Sequence, residues 1–186
     1  MEIVLASASP RRRELLSLIT EDFTACPADA DETLRDAPLG EEVTRLSRLK
    51  AEAVQAQHPN AVCIGSDTMV TIDGLRLGKP KDADEAASML RRLRGRTHEV
   101  LTGLAVLTPD GEAHTLHTCT RVTFRDFAED ELAAYLATGE PLDKAGAYGI
   151  QGHGALLIKG IEGDYYSVMG LPVAPLYTIL RDIHAV

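Results

Sequence analysis

Hydroxyl and guanidinium side chains gather near the start of the chain, where Ser7 and Pro10 are followed by Arg11, Arg12 and Arg13. Pro10 is suited to the first position of a helix. First helical turns usually favour acidic residues, because their free N–H groups carry partial positive charge. Arginines there are mildly unfavourable unless an anion joins them, which indicates a phosphate site. A solvated basic helix face fits the same spacing equally well.

A carboxylate follows the apolar stretch Ala61 to Ile64, where Asp67 stands in the sequence Gly-Ser-Asp-Thr. Catalytic side chains often lie where a rigid strand meets a loop. A carboxylate at such a position can hold a divalent metal or activate water. The alternative is a turn in which Asp67 bonds nearby backbone groups.

Two glycine-containing segments resemble phosphate-binding motifs but lack their spacing. The segment around Lys79 has Pro80 where a P-loop needs a hydroxyl residue. It is either a stiff loop that holds one functional lysine or an ordinary surface loop. The glycines of Gly149 to Gly154 do not have the spacing of a dinucleotide fingerprint.

The composition is that of an ordinary globular protein of one domain, with 186 residues, 45% apolar and 25% charged. The net charge of −9 and the absence of Trp argue against a nucleic-acid or membrane-surface binder. No stretch approaches the roughly 20 apolar residues of a membrane span, and the N-terminus does not resemble a signal peptide. We therefore expect a cytoplasmic protein.

The cysteines are three in number, far apart, and form no CxxC pair. This pattern argues against a disulfide framework or a thiolate zinc site. We expect them to be small buried apolar residues in a reducing compartment, at Cys26, Cys63 and Cys119.

Hydrophobic periodicity and turn residues predict strands and helices in mixed order, without a strict βαβ rhythm, and hence an α/β fold with a mixed sheet. The predicted strands are Glu2 to Ala6, Ala61 to Ile64, a hairpin of Met69 to Ile72 and Leu75 to Leu77, Glu99 to Leu107, Ala113 to Phe124, and Ala155 to Ile161. The predicted helices begin at Pro10, run from Glu41 to His58, from Asp82 to Gly95 and from Glu129 to Thr138, and begin again at Pro172.

Eight segments, taken together and in order, resemble the Maf family over nearly the whole chain. They are LASASPRR at Leu5 to Arg12, DADET at Asp29 to Thr33, LKA at Leu49 to Ala51, GSDTMV at Gly65 to Val70, LGKP at Leu77 to Pro80, RGRTHEVLTG at Arg94 to Gly103, GEPLDKAGAYGIQG at Gly139 to Gly152, and EGDYYSVMGLP at Glu162 to Pro172. Ser47 and Ser66 stand where the family more often has Ala, and both departures are small.

The resemblance implies one domain over residues 1–186, with a mixed central sheet flanked by helices and two lobes around a cleft, as in ITPase-like folds. It implies a nucleoside triphosphate pyrophosphatase that cleaves between the α- and β-phosphates with a divalent cation, Mg²⁺ or Mn²⁺. The loop sequence DKAGAYGIQG is similar to that of the branch acting on dTTP and UTP, and the branch acting on 7-methyl-GTP differs there.

The resemblance also implies roles for individual residues. Asp67 would be the general base or activate a metal-bound water, and Glu32 would be the second metal-site carboxylate. The amide of Gln151 has the donor and acceptor needed to bind uracil or thymine, and the alternative is a loop amide that bonds its own backbone. Phosphate charge would be stabilised by Arg11, Arg12, Lys50 and Lys79, with Ser7 and Thr68 also near the nucleotide. Asp143 and Lys144 are expected to brace the Gln151 loop as a structural pair, and the alternative is that Lys144 contacts a phosphate.

Three alternatives remain open at this stage: a pyrophosphatase for 7-methyl-GTP or another modified nucleotide, a nucleotide-binding regulator of cell division with incidental hydrolysis, and a nucleic-acid-binding module. The acidic pair Asp67 and Glu32 argues for chemistry, because a sensor needs no water activator. A homodimer is common for such folds, and the sequence leaves the oligomeric state, the metal and the cellular substrate open.

Overall fold

Seven strands and six α-helices make up the chain, and the computed structural model describes all residues, 1–186. The strands are β1 (Ile3–Leu5), β2 (Thr24–Ala25), β3 (Val62–Ile72), β4 (Leu75–Leu77), β5 (Thr97–Leu107), β6 (Ala113–Phe124) and β7 (Ile158–Glu162). The helices are α1 (Pro10–Ser17), α2 (Leu39–Gln55), α3 (Ala83–Leu93), α4 (Glu129–Ala137), α5 (Tyr165–Met169) and α6 (Val173–Asp182). None of these helices has both the length and the apolar composition needed to cross a membrane.

The strands form one mixed sheet in the order β2-β1-β3-β5-β6-β7, with β4 beside β3. Strand β1 is parallel to both β2 and β3, whereas β4 is antiparallel to β3 and β7 is antiparallel to β6. The predicted hairpin is confirmed, with Val70 opposite Leu77 and positive φ angles at Asp73 and Gly74 in its turn. The predicted α/β class with a mixed central sheet is therefore confirmed.

The chain divides into two compact units, of which unit 1 comprises Met1–Thr68, Thr102–Thr118 and Gly170–Val186. Its helix α2 lies directly on the sheet because two facing strand positions are glycine. A Cβ atom at Gly65 would be 2.0 Å from the carbonyl oxygen of Ser47, and one at Gly103 would be 2.2 Å from that of Val43. Part of the unit 1 core joins α2 to the sheet through Val4, Ala6, Ala51, Val54, Ala61, Cys63, Ala105 and Leu107.

Unit 2 comprises Met69–Leu101 and Cys119–Met169. Helix α3 contributes Ala86, Leu90 and Leu93 to a core of aliphatic and aromatic side chains. Within it, the buried His98 ring donates to or accepts from the Tyr148 hydroxyl at 2.7 Å. Burial lowers the pKa of His98 to about 4, so this imidazole is neutral near pH 7.

Three sequence-based expectations were wrong. Asp67 does not follow a strand that ends at Ile64, because β3 continues without interruption to Ile72. The strand predicted from Ala155 begins only at Ile158, since Gly152–Leu157 forms 3-10 turns with a positive φ at Gly152. Of the three cysteines, Cys63 alone is buried, Cys26 is half-buried, and Cys119 is exposed.

Candidate active site

The first turn of α1 has the cap that the sequence predicts. Ser9 is the N-cap, its Oγ accepts the N–H of Arg12 at 3.5 Å, and Pro10 occupies the first turn. No acidic residue lies in this turn. Ser7 is buried just ahead of the helix, and its Oγ accepts the N–H of Ser9 at 3.1 Å. The positive end of α1 is thus not neutralised by a carboxylate of its own first turn.

Arg12 is held in place by uncharged oxygen atoms. Its Nε donates to the carbonyl of Gly170 at 2.8 Å, and its Nη atoms lie 3.5 Å from Ser7 Oγ and 3.4 Å from Thr68 Oγ1. Burial lowers the pKa of the Arg12 guanidinium, while the charges of Asp67 and Glu32 act in the opposite direction. Because no acceptor is a carboxylate, the positive charge remains available to an anion.

The neighbouring arginines differ from Arg12 in their surroundings. Arg11 is half-buried and its guanidinium bonds no other group of the chain, whereas Arg13 is exposed. Arg11 can therefore turn toward a bound anion without breaking an existing contact.

Lys50 joins two carboxylates of unit 1. Its Nζ, on α2, lies 2.7 Å from Asp67 Oδ1 on β3 and 3.1 Å from Glu32 Oε2. The Lys50 and Asp67 side chains are each only 11% exposed, whereas Glu32 is 55% exposed. The ammonium offsets the repulsion between the two carboxylates, and Glu32 offers oxygen atoms to solvent. The alternative predicted from the sequence, a turn in which Asp67 bonds only nearby backbone groups, is therefore wrong.

The segment that carries Glu32 is anchored by a buried ion pair that sequence reasoning missed. Glu42 receives the N–H of Arg35 at 3.1 Å and two guanidinium bonds from Arg45, at 2.9 and 2.7 Å. Arg45 in turn donates to the carbonyl of Thr33 at 2.9 Å. Hydrogen bonds from Arg45, against the opposing effect of burial, lower the pKa of Glu42 to about 2. The i,i+3 spacing of Glu42 and Arg45 on α2 was the one available signal.

Ser66 has a structural role that its position in the family pattern did not suggest. Its buried Oγ lies 2.8 Å from the carbonyl of Gly103 and 2.9 Å from that of Gly170. The Gly170 carbonyl is the one that accepts Arg12 Nε. Thr68 Oγ1, which also contacts Arg12, lies 3.1 Å from Thr102 Oγ1. A hydroxyl-rich layer of β3 and β5 therefore supports Arg12.

Seven of the predicted site residues lie in unit 1, and two lie in unit 2. Those in unit 1 are Ser7, Arg11, Arg12, Glu32, Lys50, Asp67 and Thr68. In unit 2, Lys79 is exposed, and the loop that precedes it is fixed where the carbonyl of Gly78 accepts the N–H of Gly146 at 3.1 Å. Gln151 is half-buried, and its amide bonds no other group of the chain, so the predicted alternative of a self-bonded loop amide does not hold.

The predicted brace of the Gln151 loop is present. Lys144 Nζ lies 2.6 Å from Asp143 Oδ1 and donates to the carbonyl of Glu140 at 2.8 Å. Lys144 is thus occupied by partners of its own loop, which supports a structural role for this pair.

The donor set of unit 1 fits a hard divalent cation. No three His, Cys, Asp or Glu side chains converge into a ready cage. Mg²⁺, however, is commonly held by one or two carboxylates together with substrate phosphates. Asp67 and Glu32, which share Lys50, provide two such carboxylates.

Residues 2–183 match the family described as Maf-like protein. The chain belongs to the Maf family. The family predicted from the eight segments is therefore confirmed.

Relatives within the Maf family cover almost the full length of the chain. A protein of Bacillus velezensis named dTTP/UTP pyrophosphatase is 50% identical over 183 residues, which are 98% of this chain and 96% of that protein. One of the same name from Moorella thermoacetica is 51% identical over 181 residues, covering 96% and 93%. Among solved structures, the Ham1 protein of Staphylococcus aureus aligns with a TM-score of 0.49 at 20% identity, over 68% of this chain and 73% of that one.

Proposed function

We propose that this Maf protein hydrolyses dTTP and UTP to the nucleoside monophosphate and pyrophosphate. The observation that carries the proposal is the Lys50 ammonium bound to both Asp67 and Glu32, in the same unit as the uncompensated Arg12 guanidinium. Such a group of carboxylates and cations suits water attack on a polyanion. The substrates are those named for the relatives that are about half identical to this chain.

In the proposed reaction, water attacks the α-phosphorus and the bond from that phosphorus to the α–β bridging oxygen breaks. Asp67 takes the proton of the attacking water through the oxygen that Lys50 does not occupy. The bridging oxygen and its electron pair leave with pyrophosphate. Asp67 and Glu32 would hold a divalent cation, Mg²⁺ or Mn²⁺, which when bound neutralises phosphate charge. The remaining charge is stabilised by Arg11, Arg12, Lys50 and Lys79, and Ser7 contributes a hydroxyl.

Base selection is assigned to Gln151, aided by Thr68 and Arg11. The Gln151 amide has no partner in the chain, so both its oxygen and its nitrogen are free for a ligand. Uracil and thymine offer an N3–H donor beside a carbonyl acceptor, which matches an amide. Cytosine reverses the pattern at one of these edges, and it would leave an amide group unpaired.

The test is pyrophosphate release from each common NTP and dNTP and from 7-methyl-GTP, with Mg²⁺, with Mn²⁺ and with chelator. The proposal predicts metal-dependent release from dTTP and UTP well above that from the other nucleotides. A preference for 7-methyl-GTP would contradict the substrate assignment while keeping the reaction. Tight nucleotide binding without any release would instead favour a regulator.

A further inference from the structure

The loop that carries Gln151 is held by a single carboxylate on one side. Glu140, whose side chain is 18% exposed, accepts the N–H of His153 at Oε2 over 3.0 Å and that of Gly154 at Oε1 over 3.1 Å. These donors lie two and three residues after Gln151 and belong to the 3-10 turns Gly152–Leu157. The carboxylate therefore fixes the chain just after the Gln151 side chain.

A phenol extends the same network to the other side of Gln151. The Tyr135 hydroxyl, on α4, donates to Glu140 Oε1 at 3.1 Å and accepts the N–H of Gly149 at 3.2 Å. Burial raises the pKa of Tyr135, which keeps its hydroxyl proton in place near pH 7. Burial would also raise the pKa of Glu140, but the N–H groups of Gly154 and His153 and the Tyr135 hydroxyl prevail and lower it.

The glycines of this loop are explained by its close packing against Glu140, Lys144 and the loop's own backbone. A Cβ atom at Gly152, where φ is +65°, would lie 2.9 Å from Glu140 Oε2. One at Gly149 would lie 2.9 Å from Lys144 Cε, and one at Gly154 would lie 2.1 Å from the carbonyl oxygen of Gly149. The glycine spacing that does not suit a dinucleotide fingerprint thus suits a tightly packed loop that contacts the Glu140 carboxylate.

We propose that Glu140 and Tyr135 are positioning residues that set the orientation of Gln151 and thereby the preference for uracil or thymine over cytosine. The inference rests on the proposed base-reading role of Gln151. Because the Gln151 amide bonds nothing in the chain, its direction depends on the backbone on either side of it. That backbone is tied to Glu140 and Tyr135 at Gly149, His153 and Gly154.

The experiment compares Glu140→Gln and Tyr135→Phe with the wild type, using kcat/KM for UTP and for CTP. These two substrates share ribose and triphosphate, so their ratio isolates the base. Each variant should lower the UTP-to-CTP ratio by about tenfold, which is the effect of one hydrogen bond. The loss should fall mainly on KM for UTP, since the phosphate-binding groups are intact.

Glu129→Gln is the matched control, because Glu129 lies on α4 like Tyr135, and its carboxylate pairs with Arg91 and Arg94 and not with the Gln151 loop. It should leave the ratio unchanged. Gln151→Ala completes the design. Adding Glu140→Gln to Gln151→Ala should lower the ratio no further, because both changes remove the same recognition.

The outcomes separate the two proposals. A reduced ratio in Gln151→Ala with a wild-type ratio in folded Glu140→Gln and Tyr135→Phe overturns the positioning role alone. An unchanged ratio in Gln151→Ala overturns base reading and the positioning role with it. If Glu140→Gln does not fold, Tyr135→Phe decides, since it removes the hydroxyl bonds to Gly149 and to Glu140 and leaves the carboxylate in place.

Discussion

The Nζ atom of Lys50 donates to Oδ1 of Asp67 over 2.7 Å and so joins the middle of α2 to β3. The two residues are 17 positions apart in sequence, and both side chains are almost fully buried. This contact occupies one oxygen of Asp67 and leaves the other for water. It also places a positive charge beside the carboxylates that a nucleotide triphosphate and its metal would approach.

Replacing Asp67 with Asn should reduce pyrophosphate release from dTTP by at least about 10²–10³, the loss typical of removing one well-placed catalytic group. Asn keeps the size of the side chain but cannot take the proton of water. The measurement is steady-state pyrophosphate release, with urea unfolding as a check on folding. Asp73→Asn, which alters an exposed pair with Arg96 in unit 2, is the control and should keep its activity. Wild-type turnover by folded Asp67→Asn would contradict the assignment.

Glu32→Gln should raise the Mg²⁺ concentration needed for half-maximal activity, because a neutral amide is a weaker ligand for a hard cation. Glu32 is half exposed and its one ion pair is with Lys50, so unfolding by urea should change little. Metal titration of dTTP hydrolysis measures the effect. Glu52→Gln, on the exposed Arg48 pair of α2, should leave the titration unchanged. If Glu32→Gln needs the same Mg²⁺ concentration as the wild type, Glu32 is not a ligand of the metal.

Glu42→Gln should lower the free energy of unfolding at pH 7 by about 2–3 kcal/mol, since buried hydrogen bonds to a charged group are lost. The folded pKa of Glu42, about 2, lies below the ordinary value of 4.5. Its contribution is therefore present above about pH 4.5 and is lost as the pH falls toward 2.

Urea unfolding of the wild type and of Glu42→Gln between pH 7 and pH 3 tests this linkage. The difference between the two proteins should shrink toward low pH. A difference that stays constant with pH would show that Glu42 contributes through its shape alone. Activity should fall too, because the Glu42–Arg45 pair holds the backbone at Thr33 beside Glu32.

Gly65→Ala should destabilise the protein by at least about 1–3 kcal/mol through overpacking. Its new Cβ would lie 2.0 Å from the Ser47 carbonyl, so α2 must move away from the sheet and take Lys50 with it. We expect kcat to fall more than KM rises. Gly160→Ala is the control, because a Cβ there meets no atom within 4 Å. Wild-type stability and kcat in Gly65→Ala would contradict the close packing of α2 against the sheet.

Features that depend on neighbouring residues were predictable from the sequence. The Ser9 cap with Pro10 and the Asp73-Gly74 turn follow from local hydrogen bonding and backbone preference, and both are present. The family resemblance, and not spacing, assigned roles to Asp67, Lys50 and Glu32 together.

Features that depend on distant contacts were not predictable. Nothing in the spacing shows that two glycines bring α2 onto β3 and β5, or that β3 continues through Asp67. The sequence alone assigned no role to Glu42 or to Glu140. Their roles arise from backbone N–H groups that only the folded chain brings to them.

The most direct test of the account is hydrolysis of dTTP in H₂¹⁸O with mass analysis of both products. Water attack on the α-phosphorus predicts that one ¹⁸O atom appears in dTMP and none in pyrophosphate. UTP should give the same result, with the label in UMP. Label in pyrophosphate, or release of orthophosphate with dTDP, would contradict the proposed reaction.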